Sequence, residues 1–211
     1  MNIEIERLLP SYLKPSDVEE SEVYLCNRFT LEHGQRYLVH GPSGSGKSSF
    51  LKCLYGMLPF SGSIRYEEGN PGSERDWVNM RRQKLAYIFQ GLQLFPTMTV
   101  TENIRLKADL TGHKRPNEIA QMLTELGLEE KQYKLARELS FGQRQRVAII
   151  RALCQPFRFL ICDEPFSHLD YQTALTVCEL IDRELRSQGA GLLLSSLSPE
   201  SPMSIETILK V

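Results

Sequence analysis

Short apolar runs alternate with stretches of helical periodicity along this chain, and that alternation sets the expected architecture. Ile3 and Ile5 alternate with Glu4 and Glu6, the period-two pattern of an opening strand. Val23 and Leu25, followed by Phe29 and Leu31, suggest a hairpin. Tyr37-Leu38-Val39-His40 is an apolar run that stops at a glycine, the profile of a buried strand, and a helix from Lys47 to about Gly56 should follow. Further strands are predicted over Ser63–Tyr66, Leu85–Phe89, Phe157–Cys162, Leu192–Ser195 and Ile205–Val211.

The middle of the chain changes character. Thr99 followed by Glu102 forms a capping-box pattern that opens a helix toward Leu110. Pro116 suits the first turn of a second helix, which runs to Leu126 and is closed by Gly127. Two more helices begin at Phe141 and at Tyr171, the latter capped by Asp170. Strands alternating with helices predict an α/β fold with a mostly parallel sheet, preceded by antiparallel N-terminal strands. A single domain is expected over 1–211, with a core formed by 1–90 and 138–211 and a helical subdomain inserted at 91–137.

Composition narrows the partners. The chain has 211 residues, 41% of them hydrophobic, enough for a substantial core. Its 25 basic and 26 acidic residues leave a formal charge of −1, without the basic surplus of a nucleic-acid binder, so no nucleic-acid partner is expected. No apolar run approaches the roughly 20 residues that span a bilayer, and Met1 to Glu6 lack a signal-peptide core. A cytoplasmic chain is expected. Cys26, Cys53, Cys154, Cys162 and Cys178 show neither a CxxC pair nor metal-ligand spacing, and read as small buried hydrophobes.

Two motifs carry chemistry. Gly41-Pro42-Ser43-Gly44-Ser45-Gly46-Lys47-Ser48 fits the GxxxxGK[ST] phosphate-binding loop, between a buried strand and a helix. Glycines there let backbone amides wrap phosphate oxygens at the positive end of a helix, Lys47 reaches the β- and γ-phosphates, and the Ser48 hydroxyl ligates magnesium. Nucleotide contacts are expected from Gly41 through Ser49. The second motif is the apolar strand Phe157–Cys162, which ends in Asp163 and Glu164. Asp163 is placed to hold Mg2+ and Glu164 to polarise the water that attacks the γ-phosphate.

Leu139-Ser140-Phe141-Gly142-Gln143 lies between these motifs and resembles the LSGGQ signature of ABC ATPases, with Phe141 at the variable third position. The run Arg144–Leu153 resembles that family's signature helix. Gln90 matches its Q-loop, Ser167-His168-Leu169-Asp170 its D-loop, and Tyr12 lies near its adenine-stacking aromatic. The stretch Phe89–Ile104 looks most like the lipoprotein-release, macrolide-export and cell-division subunits. The resemblance implies a P-loop NTPase of ABC type that binds ATP and Mg2+ as a head-to-tail homodimer, or as a heterodimer with a related ATPase subunit. It implies that Ser140, Gly142 and Gln143 of one subunit contact the nucleotide of the other. Asp170 would link the two sites, and Gln90 would sense magnesium and the γ-phosphate. It further implies an integral membrane transporter subunit as partner, which would hold the chain at the inner face of the membrane. The apolar Leu92, Leu94, Phe95 and Met98 suggest where such a partner docks.

One departure bears on rate. The family carries a histidine after the strand that follows the D-loop. Aligning Ser198-Pro199-Glu200 with the usual Asp-Pro-Glu puts Leu197 there, and the four histidines, His33, His40, His113 and His168, all precede it. A transporter ATPase, a soluble ABC protein of repair or translation, and a nucleotide-dependent switch with weak turnover are the readings left open. One ATPase unit without a basic tail speaks against the second.

Overall fold

The structure, a computed structural model, describes residues 1–211. Two sheets share the chain. In the smaller, β1 (Ile3–Pro10) is flanked by β2 (Phe29–Leu31) and β4 (Phe60–Tyr66), both antiparallel to it. In the larger, five parallel strands run in the order β5 (Leu85–Ile88), β6 (Phe159–Asp163), β7 (Gly191–Ser196), β3 (Arg36–His40), β8 (Thr207–Lys210). β5, β6, β7 and β3 are largely buried apolar runs because both faces are covered there, whereas the edge strand β8 is mostly exposed.

The hairpin expected over Val23–Leu31 does not form. Only Phe29–Leu31 is a strand, and it pairs with β1. The β1–β4 register shifts between Glu6 and Leu9, and both Arg7 and Leu25 take positive φ (48° and 54°), so neither backbone is extended there. The Arg7 amide donates to the Cys26 carbonyl and the Leu25 amide to that of Leu8. Val23 is fully buried without belonging to a strand, so its burial, not its pairing, accounts for the apolar pattern.

Helices α1 (Lys47–Leu54), α3 (Val100–Thr111), α4 (Pro116–Glu125), α5 (Phe141–Leu153) and α6 (Tyr171–Gln188) match expectation within a few residues. α2 (Glu74–Gln83) was not anticipated, for a physical reason: it buries only Met80, so it shows no apolar stripe, although Ser73 caps it by accepting from the Asp76 amide. Alternate residues of the parallel strands feed two cores. Leu38, Leu160 and Leu194 join α5 and α6 on one face, and Val39, Ile161 and Leu193 join α1 and the antiparallel sheet on the other. The inserted helices share the first core through Val100, Ile104, Ile119 and Met122. No helix is long and apolar enough to cross a membrane.

The turn that enters the insert is organised by one buried amide. Asn103 accepts from the Phe95 amide at 2.8 Å and donates to the carbonyls of Phe95, Met98 and Thr99 at 3.1, 3.2 and 3.0 Å. Asn103→Ala leaves the part-buried Phe95 amide without a partner, while the three carbonyls keep their backbone donors from Met98, Ala136 and Asn103 itself, and we expect it to destabilise the fold by about 1–3 kcal/mol, read by urea denaturation. Loss of less than about 0.5 kcal/mol would show that water replaces the side chain.

Candidate functional site

The C-terminal ends of β3, β6 and β7 lie side by side, Asp163 opposite Ser195 and His40 opposite Ser196, which is where parallel α/β sheets place their ligands. The loop after β3 wraps toward α1 with positive φ at Gly44 (83°) and Gly46 (106°), and Gly46 forms the N-cap of that helix. A side chain at Gly41 would stand 2.1 Å from the Val211 carbonyl oxygen, so backbone passes where no Cβ fits. Pro42, Ser43 and Gly44 are exposed, whereas the Ser45 hydroxyl is buried without a hydrogen-bond partner. Exposed loop backbone, an unpaired hydroxyl and the N-terminus of α1 together suit a phosphate.

Lys47 is almost fully buried. Its Nζ donates to the carbonyls of Gly41 (2.8 Å) and Pro42 (2.9 Å) and lies 4.0 Å from Glu164 Oε1. Burial pushes its pKa down, and the carboxylates of Glu164 and Asp163 oppose that shift. The Ser48 hydroxyl donates to Asp163 Oδ1 at 2.9 Å. Gln90 Nε2 donates to Glu164 Oε2 at 3.3 Å. Tyr12 is exposed, and its hydroxyl is hydrogen-bonded to that of Ser49 at the start of α1. Tyr12, Ser43, Gly44, Gly46, Lys47, Ser48, Ser49, Gln90 and Glu164 line one cleft of about 200 Å³. Ser48, Gln90 and Asp163 offer only oxygen as metal donors, the kind of ligand Mg2+ takes.

The remaining expected residues lie elsewhere on the chain. Ser140 caps α5, accepting from the Gln143 amide while Gln143 Oε1 accepts from that of Ser140. Gly142 packs against the His168 carbonyl, where a Cβ would stand 3.1 Å away, and the Phe141 ring lies against that of His168, tilted by 44° with centroids 4.1 Å apart. Asp170 caps α6; hydrogen bonds from the Thr173 hydroxyl and amide hold its carboxyl below the usual range. Ser140, Gly142, Gln143 and Asp170 thus form a second patch that does not line the first cleft.

Several contributors were not legible in the sequence. Tyr87, deep in β5, donates to Asp163 Oδ2 at 3.3 Å, and burial next to that carboxylate drives its phenol pKa far up. Arg151 on α5 donates to the carbonyls of Leu92 (2.7 Å) and Gln93 (2.6 Å), both of which have positive φ (58° and 52°). It thereby ties the helix that begins at Ser140 to the segment that follows Gln90. A tyrosine inside an apolar strand and an arginine on a mostly buried helix were the available signals. The apolar stretch at 92–98 is not one exposed cluster: Leu92 is buried, Leu94 packs against the core, Met98 is half-buried and Phe95 is exposed. Leu197 is exposed, beside Glu164 along the rim of a neighbouring cleft.

Residues 27–167 match the family model described as ABC transporter. Over 196 residues the chain is 35% identical to the lipoprotein-releasing system ATP-binding protein LolD 1 of Rhodopirellula baltica, covering 90% of this chain and 84% of that protein. Among solved structures it resembles the dimeric bacterial ABC transporter cassette MJ0796, at 24% identity and a TM-score of 0.77 over 93% of this chain and 88% of that one. It also resembles the same cassette in a dimeric post-hydrolysis state bound to ADP and Pi, at 25% identity and a TM-score of 0.76, with the same shares covered.

Proposed function

This chain belongs to the ABC transporter family, and from that premise we propose that it is the ATP-binding and ATP-hydrolysing subunit of a transporter whose membrane-spanning part is a separate protein. The observation that carries this reading is the convergence at one cleft of an amine, a hydroxyl and a carboxylate, with a second, buried carboxylate bonded to that hydroxyl: Lys47 lies 4.0 Å from Glu164, and Ser48 bonds Asp163 at 2.9 Å. In this reading the backbone amides of Ser43–Ser49, the close turn at Gly41-Pro42 and the Lys47 amine bind the phosphates, and Tyr12 flanks the base. Ser48, Gln90 and Asp163 hold Mg2+, which when bound neutralises charge on the phosphate oxygens. Glu164 accepts a hydrogen bond from the attacking water and orients it.

The second patch then completes the site in trans. Ser140, Gly142 and Gln143 of one subunit meet the nucleotide held by Lys47 of the other, with the positive N-terminus of α5 directed at phosphate. Asp170 lies at the junction. The partner is a second copy, or a related ATPase subunit. Within each chain, 1–90 and 138–211 form the catalytic core, and 91–137 is the subdomain that passes nucleotide state to the membrane partner. Arg151, by gripping Leu92 and Gln93, supports that linkage. Exposed Phe95 supports a docking face near the same turn. The chain works on the cytoplasmic side of the membrane, held there by its partner.

Lys47→Ala tests the reading. It should weaken Mg-ATP binding by about a hundredfold, measured by titration calorimetry, because a charge-assisted contact in a buried site is lost. Unchanged affinity in a folded variant would contradict it.

A second reading, a switch with weak turnover, is favoured by Leu197. This side chain offers no hydrogen bond beside Glu164, and one missing contact to developing charge costs roughly 3 kcal/mol, about a hundredfold in rate. Leu197→His should therefore raise steady-state ATP hydrolysis by about tenfold or more. A parent chain that already turns over quickly and is indifferent to the substitution would refute slow hydrolysis.

A further inference from the structure

Ser195 follows the apolar run Gly191-Leu192-Leu193-Leu194 as the penultimate residue of β7, and is almost completely buried. A buried hydroxyl is unfavourable unless its hydrogen-bonding capacity is used. Here both of its roles are taken by the acid pair. Ser195 Oγ donates to Asp163 Oδ1 at 2.8 Å and accepts from the Glu164 amide at 3.1 Å. Glu164 has φ of 49°, the left-handed region that a branchless residue tolerates and glutamate rarely adopts, so something outside it must hold that conformation. Asp163 and Ser195 are also paired across β6 and β7, which places the hydroxyl at the point where the strand ends and the acid turn begins.

We propose that Ser195 is a positioning residue for hydrolysis: its hydroxyl clamps the Asp163 carboxylate and the Glu164 backbone in one fixed relation. This rests on the reading of Asp163 and Glu164 given above. The clamp matters because Asp163 Oδ1 is shared. Ser48 bonds it at 2.9 Å, and Ser48 is also the hydroxyl assigned to Mg2+. With Ser48 turned to the ion, the donors left to orient Asp163 are Ser195 and, at 3.3 Å, Tyr87. The same hydroxyl fixes the direction in which the Glu164 side chain leaves the chain. Ser195 touches no atom expected to react, and its hydroxyl bonds the acid pair, not the phosphate loop. Its removal should alter rate and leave nucleotide affinity in place.

The test uses an isosteric pair. Ser195→Thr keeps the hydroxyl and Ser195→Val replaces it with a methyl of the same shape, and both are β-branched residues suited to a strand. We expect Ser195→Val to lower kcat for ATP by about tenfold or more while KM and ATP affinity stay within about threefold of the parent, the pattern of a lost transition-state interaction. Ser195→Thr should restore most of the rate. Hydrogen exchange of the Glu164 amide without nucleotide should quicken in Ser195→Val and not in Ser195→Thr. Parent-like kcat in Ser195→Val, or an equal fall in both variants, would overturn the proposal, the second because it signals packing and not the hydroxyl. If the parent binds ATP without measurable turnover, unchanged Glu164 exchange in Ser195→Val overturns it alone. A parent that binds no ATP sinks the underlying reading instead.

Discussion

The carboxylate of Asp163 stands where three separate lengths of chain arrive at one edge of the parallel sheet. Ser48 reaches it from the phosphate loop, Ser195 from the end of β7 and Tyr87 from the edge strand β5. Asp163 is itself buried, and an uncompensated charge there would be strongly unfavourable. The hydroxyls stabilise it, and in doing so they fix the distance between the phosphate loop and the acid turn. Lys47 adds a cation 4.0 Å from Glu164, so the cleft balances one amine against two acids. The five-stranded sheet brings these groups together, and their mutual bonds hold the cleft in one shape.

Much of this was legible in residues. The phosphate loop, the acid pair and the caps at Thr99, Ser140 and Asp170 are local, because each depends on side chains a few positions apart. Buried strands announced themselves as apolar runs. What could not be read depends on distant partners or on backbone detail. The 23–27 segment mimics a strand because Val23 and Tyr24 are buried although Leu25 is exposed, and only the bulge at Arg7 shows why it bends. α2 lies on the surface with too little apolar area to mark its face. The roles of Tyr87, Arg151 and Ser195 come from contacts with residues that lie far away in the chain, which no spacing rule reveals.

The two patches of family motif residues explain why one chain is only half a machine in this account. The first cleft gathers Lys47, Ser48, Asp163, Glu164 and Gln90; the second exposes Ser140 and Asp170 at the starts of α5 and α6. They are mechanically joined. Gln145 is fully buried and donates to the Pro165 carbonyl at 2.6 Å, and Arg151 of the same helix holds Leu92 and Gln93. The insert is tied to α6 by Arg183 with Glu125 and by Lys114 with Glu184. The acid turn and the insert are thus connected by packed side chains rather than by a loose linker. In the proposed function Leu197, at the position the resemblance gives to a histidine, weakens the chemistry without touching that linkage.

In the proposed cycle ATP joins two such chains through the second patch, and Glu164 breaks the union by hydrolysis. It is tested most directly by light scattering coupled to size-exclusion chromatography of Glu164→Gln, with and without Mg-ATP. The account predicts a nucleotide-dependent dimer that persists in the variant, because phosphate binding survives while water is no longer oriented. A Glu164→Gln chain that stays monomeric at saturating ATP, or hydrolyses ATP at the parent rate, would contradict it.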